Sequence, residues 1–134
     1  MTRVQGEPAA LIKAALTAFV AGRTPLPRIA LHKWPADWGL ADGRPLVLVA
    51  DDGGPMDWPV SSEHDIRITV GADDIGVARG LARACLGHIL DTLPKGLSQI
   101  TGDGITLMEA QHKATGADLA SGAVSVVIRT EIVT

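Results

Sequence analysis

Histidines and carboxylates fall in short clusters along the chain, and these are the side chains that could do chemistry. His64-Asp65, Asp51-Asp52 and Asp73-Asp74, together with His32 and His112, carry the donor types that a divalent metal needs. Their spacing matches neither a His-Glu-x-x-His helix nor a His-x-His pair. Each acidic doublet adjoins a turn or a helix start, where a carboxylate caps backbone N–H groups, so capping or surface roles are expected and no metal. Ser61 and Ser62 lie just before His64, as a nucleophile lies near its base. No G-x-S-x-G elbow sets either serine on a strained strand-to-helix turn, and both read as loop hydroxyls. Cys85 falls on an apolar helical stripe, where desolvation raises a thiol's pKa and leaves it inert. Gly53-Gly54-Pro55 lacks the lysine and helix of a phosphate loop, and Gly102-Asp103-Gly104 precedes a strand, so both read as turns. No catalytic residue, cofactor or metal site is expected.

The large side chains point elsewhere. Trp34, Trp38 and Trp58 all sit in proline-rich segments and none lies in a periodic element. Loop tryptophans seat partners, and they also close the open end of a small core; either role is open to each of the three.

The elements that must position these residues follow from hydrophobic spacing. Pro8 can occupy a first helical turn, and Ile12, Ala15, Leu16, Phe19 and Val20 recur at helical spacing up to Gly22, which predicts a helix over 8–21. An irregular arm over 23–45 follows, with a short strand at 28–33. The apolar run 46–50 fits a central strand buried on both faces. After a loop over 52–63, the segment 64–71 alternates, with Ile66, Ile68 and Val70 on one face and Asp65, Arg67 and Thr69 on the other. Asp73 or Asp74 can cap a second helix over 74–92, whose stripe is Ile75, Ala78, Ala82, Cys85, Leu86, Ile89 and Leu93. Gly76, Gly80, Ala84 and Gly87 make a second stripe on that helix, although an interior glycine costs about 1 kcal/mol relative to alanine, so close approach of another backbone is expected there. Two strands, 105–113 and 123–133, form a terminal hairpin, the second with Val124, Val126, Ile128 and Ile132 on one face. Its loop, 114–122, has Leu119 as its large side chain and suits a segment that orders against a neighbour.

These elements make an α+β domain, a mostly antiparallel sheet with two helices packed on one face. At 134 residues the chain is expected to be one domain over 1–134. Hydrophobic residues are 46% and charged residues 20%, ordinary globular usage. A net charge of −3 argues against tight binding to the phosphate backbone of nucleic acid. One cysteine excludes a disulfide scaffold, and no run reaches the roughly 18 apolar residues of a spanning helix. Lys13 interrupts the N-terminal apolar stretch, which reads as a helix rather than a signal, and a soluble cytoplasmic protein is the expectation.

The order of elements then becomes specific: an N-terminal amphipathic helix, a proline-rich arm, the strand PLVLVADD, the strand HDIRITVGADD running into the helix IGVARGLARACLGHIL, and a final hairpin. This resembles the tail terminator family of long-tailed bacteriophages, also called tail-completion or minor tail proteins. The likeness spans nearly the whole chain and is sharpest over 65–90. It departs from the family at Gly71, where an aromatic residue is common, and in the length of the loop bearing Trp58. The resemblance implies a virion protein made in the host cytoplasm that forms a ring, usually of six subunits. Such a ring caps the tail tube, stops its growth and meets a head-side neck or connector protein while DNA passes through the bore. It carries over no catalytic residues. Arg79 and Arg83, with Gly76 and Gly80, could face one neighbour, and the tryptophans or Leu119 another. Other classes are a different neck or connector subunit, a small metal-dependent enzyme built on His64 and Asp65, and a monomeric binding module with tryptophan-bearing loops.

Overall fold

The computed structural model describes residues 2–58, 60–102 and 107–133. In chain order its elements are β1 (Thr2–Val4), α1 (Pro8–Val20), β2 (Arg28–Leu31), a 3₁₀ turn (Leu40–Asp42), β3 (Leu46–Asp51), β4 (Met56–Asp57), β5 (Ser61–Ala72), α2 (Ile75–Thr92), β6 (Gln99–Thr101), β7 (Met108–Gln111), β8 (Asp118–Arg129) and β9 (Glu131–Val133). The architecture is α+β, with both helices on one face of a mostly antiparallel sheet.

The alternating strand β5 is the spine. It pairs with β8 along its full length, from Ser61 opposite Arg129 to Ala72 opposite Asp118, and with β3 on its other side. Because side chains alternate across a strand, Ile66, Ile68 and Val70 join Val47, Val49, Val124 and Val126 on one face. Ile12, Leu16 and Val20 of α1 and Ala78, Leu81, Ala82, Cys85, Leu86 and Ile89 of α2 cover that face. The sheet order is β2-β3-β5-β8-β6, with β4 against β5 and β7 against β8. β2 runs parallel to β3, a pairing the arm makes available because it carries the chain back across the sheet before β3 begins.

The second helix begins at Ile75, within a residue of its expected start, and Asp74, one of the two expected caps, accepts a hydrogen bond from the Val77 N–H through its carboxylate. Other expectations are corrected. Leu93 is not in the buried stripe: it takes a left-handed φ of 45° just past the helix, leaving its side chain 42% exposed, and Leu81 fills the core instead. The alternating strand reaches back to Ser61, so the loop expected over 52–63 is largely a hairpin. Backbone pairing continues past β3 through Asp52 N–H to the Asp65 carbonyl and Glu63 N–H to the Pro55 carbonyl, then into β4.

The terminal hairpin is also tighter. β8 starts at Asp118, so half of the loop expected over 114–122 is strand, and the turn lies between β7 and β8. Part of the strand expected over 105–113, and Asp103 and Gly104 of the expected turn, lie outside the described residues. The chain leaves the sheet at Thr130, and β9 pairs with β1 in a separate two-stranded ribbon. Ile132 is therefore 51% exposed and does not share the core face of Val124, Val126 and Ile128.

Candidate functional site

The alternation of β5, continued back to its first residues, places Ser62 and His64 on the core face beside Ile66. Both are buried. The Ser62 hydroxyl lies 2.7 Å from His64 Nε2, and Asp51 Oδ2, at the end of the neighbouring strand β3, lies 2.7 Å from Nδ1. Gln5 Nε2 reaches Nε2 at 3.3 Å from the segment before α1. The proton arrangement that serves all three places N–H at Nδ1, facing the carboxylate, and leaves Nε2 to accept from Ser62 and Gln5. The carboxylate sits off the Nδ1–H axis, so that contact is an electrostatic one rather than an aligned hydrogen bond. Asp51 is fixed in turn by the Gly53 N–H, which donates to Oδ1 at 2.8 Å.

Serine, histidine and aspartate thus stand in the order of a nucleophile, its base and the base's partner. The expectation of Ser62 in a loop, with His64 and Asp65 as one donor pair, is corrected here. The missed signal is the alternation itself, which turns Asp65 to the opposite face and carries Ser62 and His64 together. What the arrangement lacks is access. Ser62 is 1% exposed, and it lies between paired strands on both sides, opposite Met56 of β4 and Ile128 of β8. The chain before α1 closes the remaining side: a Cβ added at Gly6 would come within 2.7 Å of Ile128 Cδ1. In this position the network satisfies buried polar groups and ties the N-terminal segment to β3 and β5.

The other expected metal donors scatter. Asp52 pairs with Arg67 at 3.3 Å on the sheet face away from the helices. His112 stacks on Trp34, with ring centroids 4.4 Å apart, and its Nδ1 lies 2.8 Å from the Thr115 hydroxyl. His32 is exposed with a φ of 61° at the end of β2. Asp73 is exposed and Asp74 caps α2. Among the described residues no three His, Cys, Asp or Glu side chains gather around one point. Cys85 is buried, and desolvation pushes its thiol up to about 11 against a smaller opposing pull from the Arg23 cation.

The three tryptophans divide. Trp38 is buried and forms, with Leu46 and Ala117, a second small core that Ala30 and Trp34 flank. Its indole N–H donates to the Arg44 carbonyl at 2.9 Å, and it meets the Trp34 ring edge-on. Trp34 crosses the sheet face opposite the helices. A Cβ added at Gly71 would meet its ring at 2.7 Å, and Leu119 touches the same spot. An aromatic side chain from the arm thus lies directly over Gly71. Leu119 is in β8 opposite Gly71 and not in a loop tip. Trp58 differs from both: it stands at the turn of the β4–β5 hairpin, 53% exposed, beside exposed Met56 and Val60.

On α2, Arg79 pairs with Glu109 of β7, and Arg83 is exposed. Gly76 and Gly80 are exposed as well, and a Cβ at Gly80 would meet nothing within 4 Å. Within one copy of the described chain, no backbone approaches that stripe at Gly80. The helix and the arm instead bound shallow concavities through Gly76, Val77, Gly80, Pro25 and Pro45. No helix is long and apolar enough to cross a membrane.

The fold and its surfaces define a small α+β domain with a sealed polar network and exposed apolar ends. No protein-family model matches the chain, and no curated protein is significantly similar to it.

Proposed function

We propose that the chain is a structural subunit that assembles with copies of itself into a closed ring, in the manner of the phage tail terminators it resembles. In that role the ring, of six subunits by the family's habit, caps the tail tube, ends its polymerisation and presents a second face to a neck or connector protein. With a net charge of −3 per subunit, the ring is acidic and lets DNA pass without holding it. The activity is assembly and not catalysis.

One observation carries this reading. A core already closed by both helices leaves apolar side chains exposed, among them Met56, Trp58 and Val60 at one end of β5 and Leu26, Leu40 and Val77 toward the other, with Val4, Leu93, Met108 and Ile132 exposed elsewhere. Single exposed apolar residues are ordinary on a monomer, whereas grouped ones mark contact surfaces. A closed ring needs two different surfaces of one subunit to meet, and this distribution provides two. Native mass spectrometry across protein concentrations, with negative-stain imaging in the presence of tail tubes, tests it. Rings or capped tube ends are expected; a monomer that ignores tubes rejects the reading.

The Ser62–His64–Asp51 geometry favours a second reading, a serine hydrolase. It requires Ser62 to reach a carbonyl carbon, and the hydroxyl is buried. Labelling by a fluorophosphonate probe that disappears in Ser62→Ala would establish an activated serine. An unlabelled native protein is the expected result.

A further inference from the structure

The exposed hairpin tip and a cleft at the other end of the sheet complement one another in apolarity and charge. At the tip, Met56, Trp58 and Val60 are 44%, 53% and 60% exposed, and Asp57 is an exposed carboxylate that makes no ion pair with any described residue. The tip is a β-hairpin held by its ladder to β5, by the Val60 N–H, which donates to the Asp57 carbonyl, and by the Thr130 N–H, which donates to the Val60 carbonyl at 3.1 Å. An indole presented this way brings roughly 150–250 Å² of contact area with few torsions to freeze.

The cleft lies between α1 and the arm. It has a volume of about 370 Å³, and Val20, Leu26 and Ile29 give it an apolar floor, with Lys13, Arg28 and Arg44 around it. No acidic residue lines it. Two of its cations are already engaged: Arg28 with Asp37 at 3.1 Å, and Arg44 with the carbonyls of Leu26 and Pro27. Lys13 is half-buried and makes no ion pair with a described residue. Among the described residues, one end of the subunit thus has an anion without an ion pair beside an exposed indole, and the other a cation without one beside an apolar hollow.

We propose that the Trp58 tip of one copy seats in the α1–arm cleft of the next, with Asp57 meeting Lys13. The inference rests on the ring reading and names the contact that builds the ring. A subunit cannot fill its own cleft. Arg28 pairs with Leu46 and Leu46 with Gly71, ten residues along β5 from Ser61, which puts the cleft about 33 Å from the tip at roughly 3.3 Å per residue. A contact joining opposite ends is heterologous; it makes a ring where the rotation between neighbours closes and an open filament where it does not, and the ring reading requires the first. The indole is the anchor. Aromatic side chains desolvated at the centre of an interface carry much of its free energy, while the charge pair sets register and adds salt dependence.

The test uses the full chain in analytical ultracentrifugation and native mass spectrometry. Trp58 and Asp57 are exposed, so Trp58→Ala and Asp57→Lys should retain the fold by circular dichroism. Trp58→Ala is expected to raise the concentration for half-assembly by about 30-fold or more. Asp57→Lys and Lys13→Glu should each weaken assembly, and the double variant should regain it. The combination Trp58→Cys with Leu26→Cys should give an inter-subunit disulfide ladder that neither single variant gives, since Cys85 is buried and does not compete. If Trp58→Ala assembles like the parent and no ladder forms, this contact is refuted while the ring stands. If the parent remains monomeric and the paired cysteines do not cross-link, with or without tail tubes, the ring reading fails and this contact with it.

Discussion

Replacing Trp38 by alanine should remove a large fraction of the protein's stability, and replacing Trp58 should remove almost none. Trp38 is 3% exposed; it packs on Leu46 and Ala117, meets the Trp34 ring edge-on at a centroid distance of 5.3 Å, and donates its indole N–H to the Arg44 carbonyl. Truncation deletes the ring's burial and leaves a hollow between the arm and the sheet that the proline-rich chain cannot collapse to fill. For a buried tryptophan the expected cost is about 3–5 kcal/mol, of which the lost hydrogen bond is about 1 kcal/mol. A domain of this size has a total stability of about 5–15 kcal/mol. Trp58→Ala, at an exposed turn, should cost no more than about 0.5 kcal/mol. Urea unfolding followed by far-ultraviolet circular dichroism, below the concentration of assembly, measures both without relying on the deleted fluorophore, and an unchanged denaturant slope shows that the comparison is one of stability. A Trp38→Ala cost under 1 kcal/mol, or equal costs for the two variants, would falsify the division of the tryptophans into one that closes a core and one that faces out.

Three further outcomes follow from single positions. Gly71→Ala places a methyl group 2.7 Å from the Trp34 ring, which His112 and Trp38 hold in place; a loss of about 1–3 kcal/mol is expected in thermal unfolding, and an unchanged midpoint counts against the packing described. Gly80→Ala adds a methyl to an open helix face and should stabilise the unassembled chain by about 0.5–1 kcal/mol, whereas destabilisation would mean that the face is not open. The Cys85 thiol, pushed from an ordinary value near 9 up to about 11, stays neutral in the fold at pH values where the unfolded chain's thiol ionises. The unfolded state is therefore favoured as pH rises through that window: the group leaves stability unchanged below pH 9 and should lower it by roughly 3 kcal/mol between pH 9 and 11. Parallel pH profiles for the parent and Cys85→Ala would show that the thiol has no such effect.

Much of the fold is legible because it depends on period. The helix over 8–21 and the helix over 74–92 sit within a residue of Pro8–Val20 and Ile75–Thr92, since proline at the first turn, an aspartate cap and the spacing of apolar residues are local signals. The alternating faces of β5 are equally direct. The failures share a cause: they occur where a strand's partner lies far away in the chain. Polar residues at 61–63 and small ones at 118–122 look like loops until pairing with β8 and β5 satisfies their backbone groups. Ile132 continues the alternation of β8 on paper, but the chain turns at Thr130 to meet β1.

For the candidate sites the divide is similar. Residue types alone establish an acidic, single-cysteine chain with its tryptophans outside the periodic elements, and the inertness expected of Cys85 follows from its place on an apolar helical stripe. Pairing decides the rest. The register of β3 on β5 brings Asp51 beside His64, the period of two buries Ser62 with it, and the same period sends Asp52 and Asp65 away. The fold of the arm over the sheet buries Trp38, and the reach of the β4–β5 hairpin exposes Trp58. Local sequence determines what each segment prefers to be, because capping, rotamer freedom and hydrophobic period act over a few residues. Which side chains meet is decided only when strands distant in sequence pair, because a shift of one residue in that pairing would turn every side chain to the opposite face.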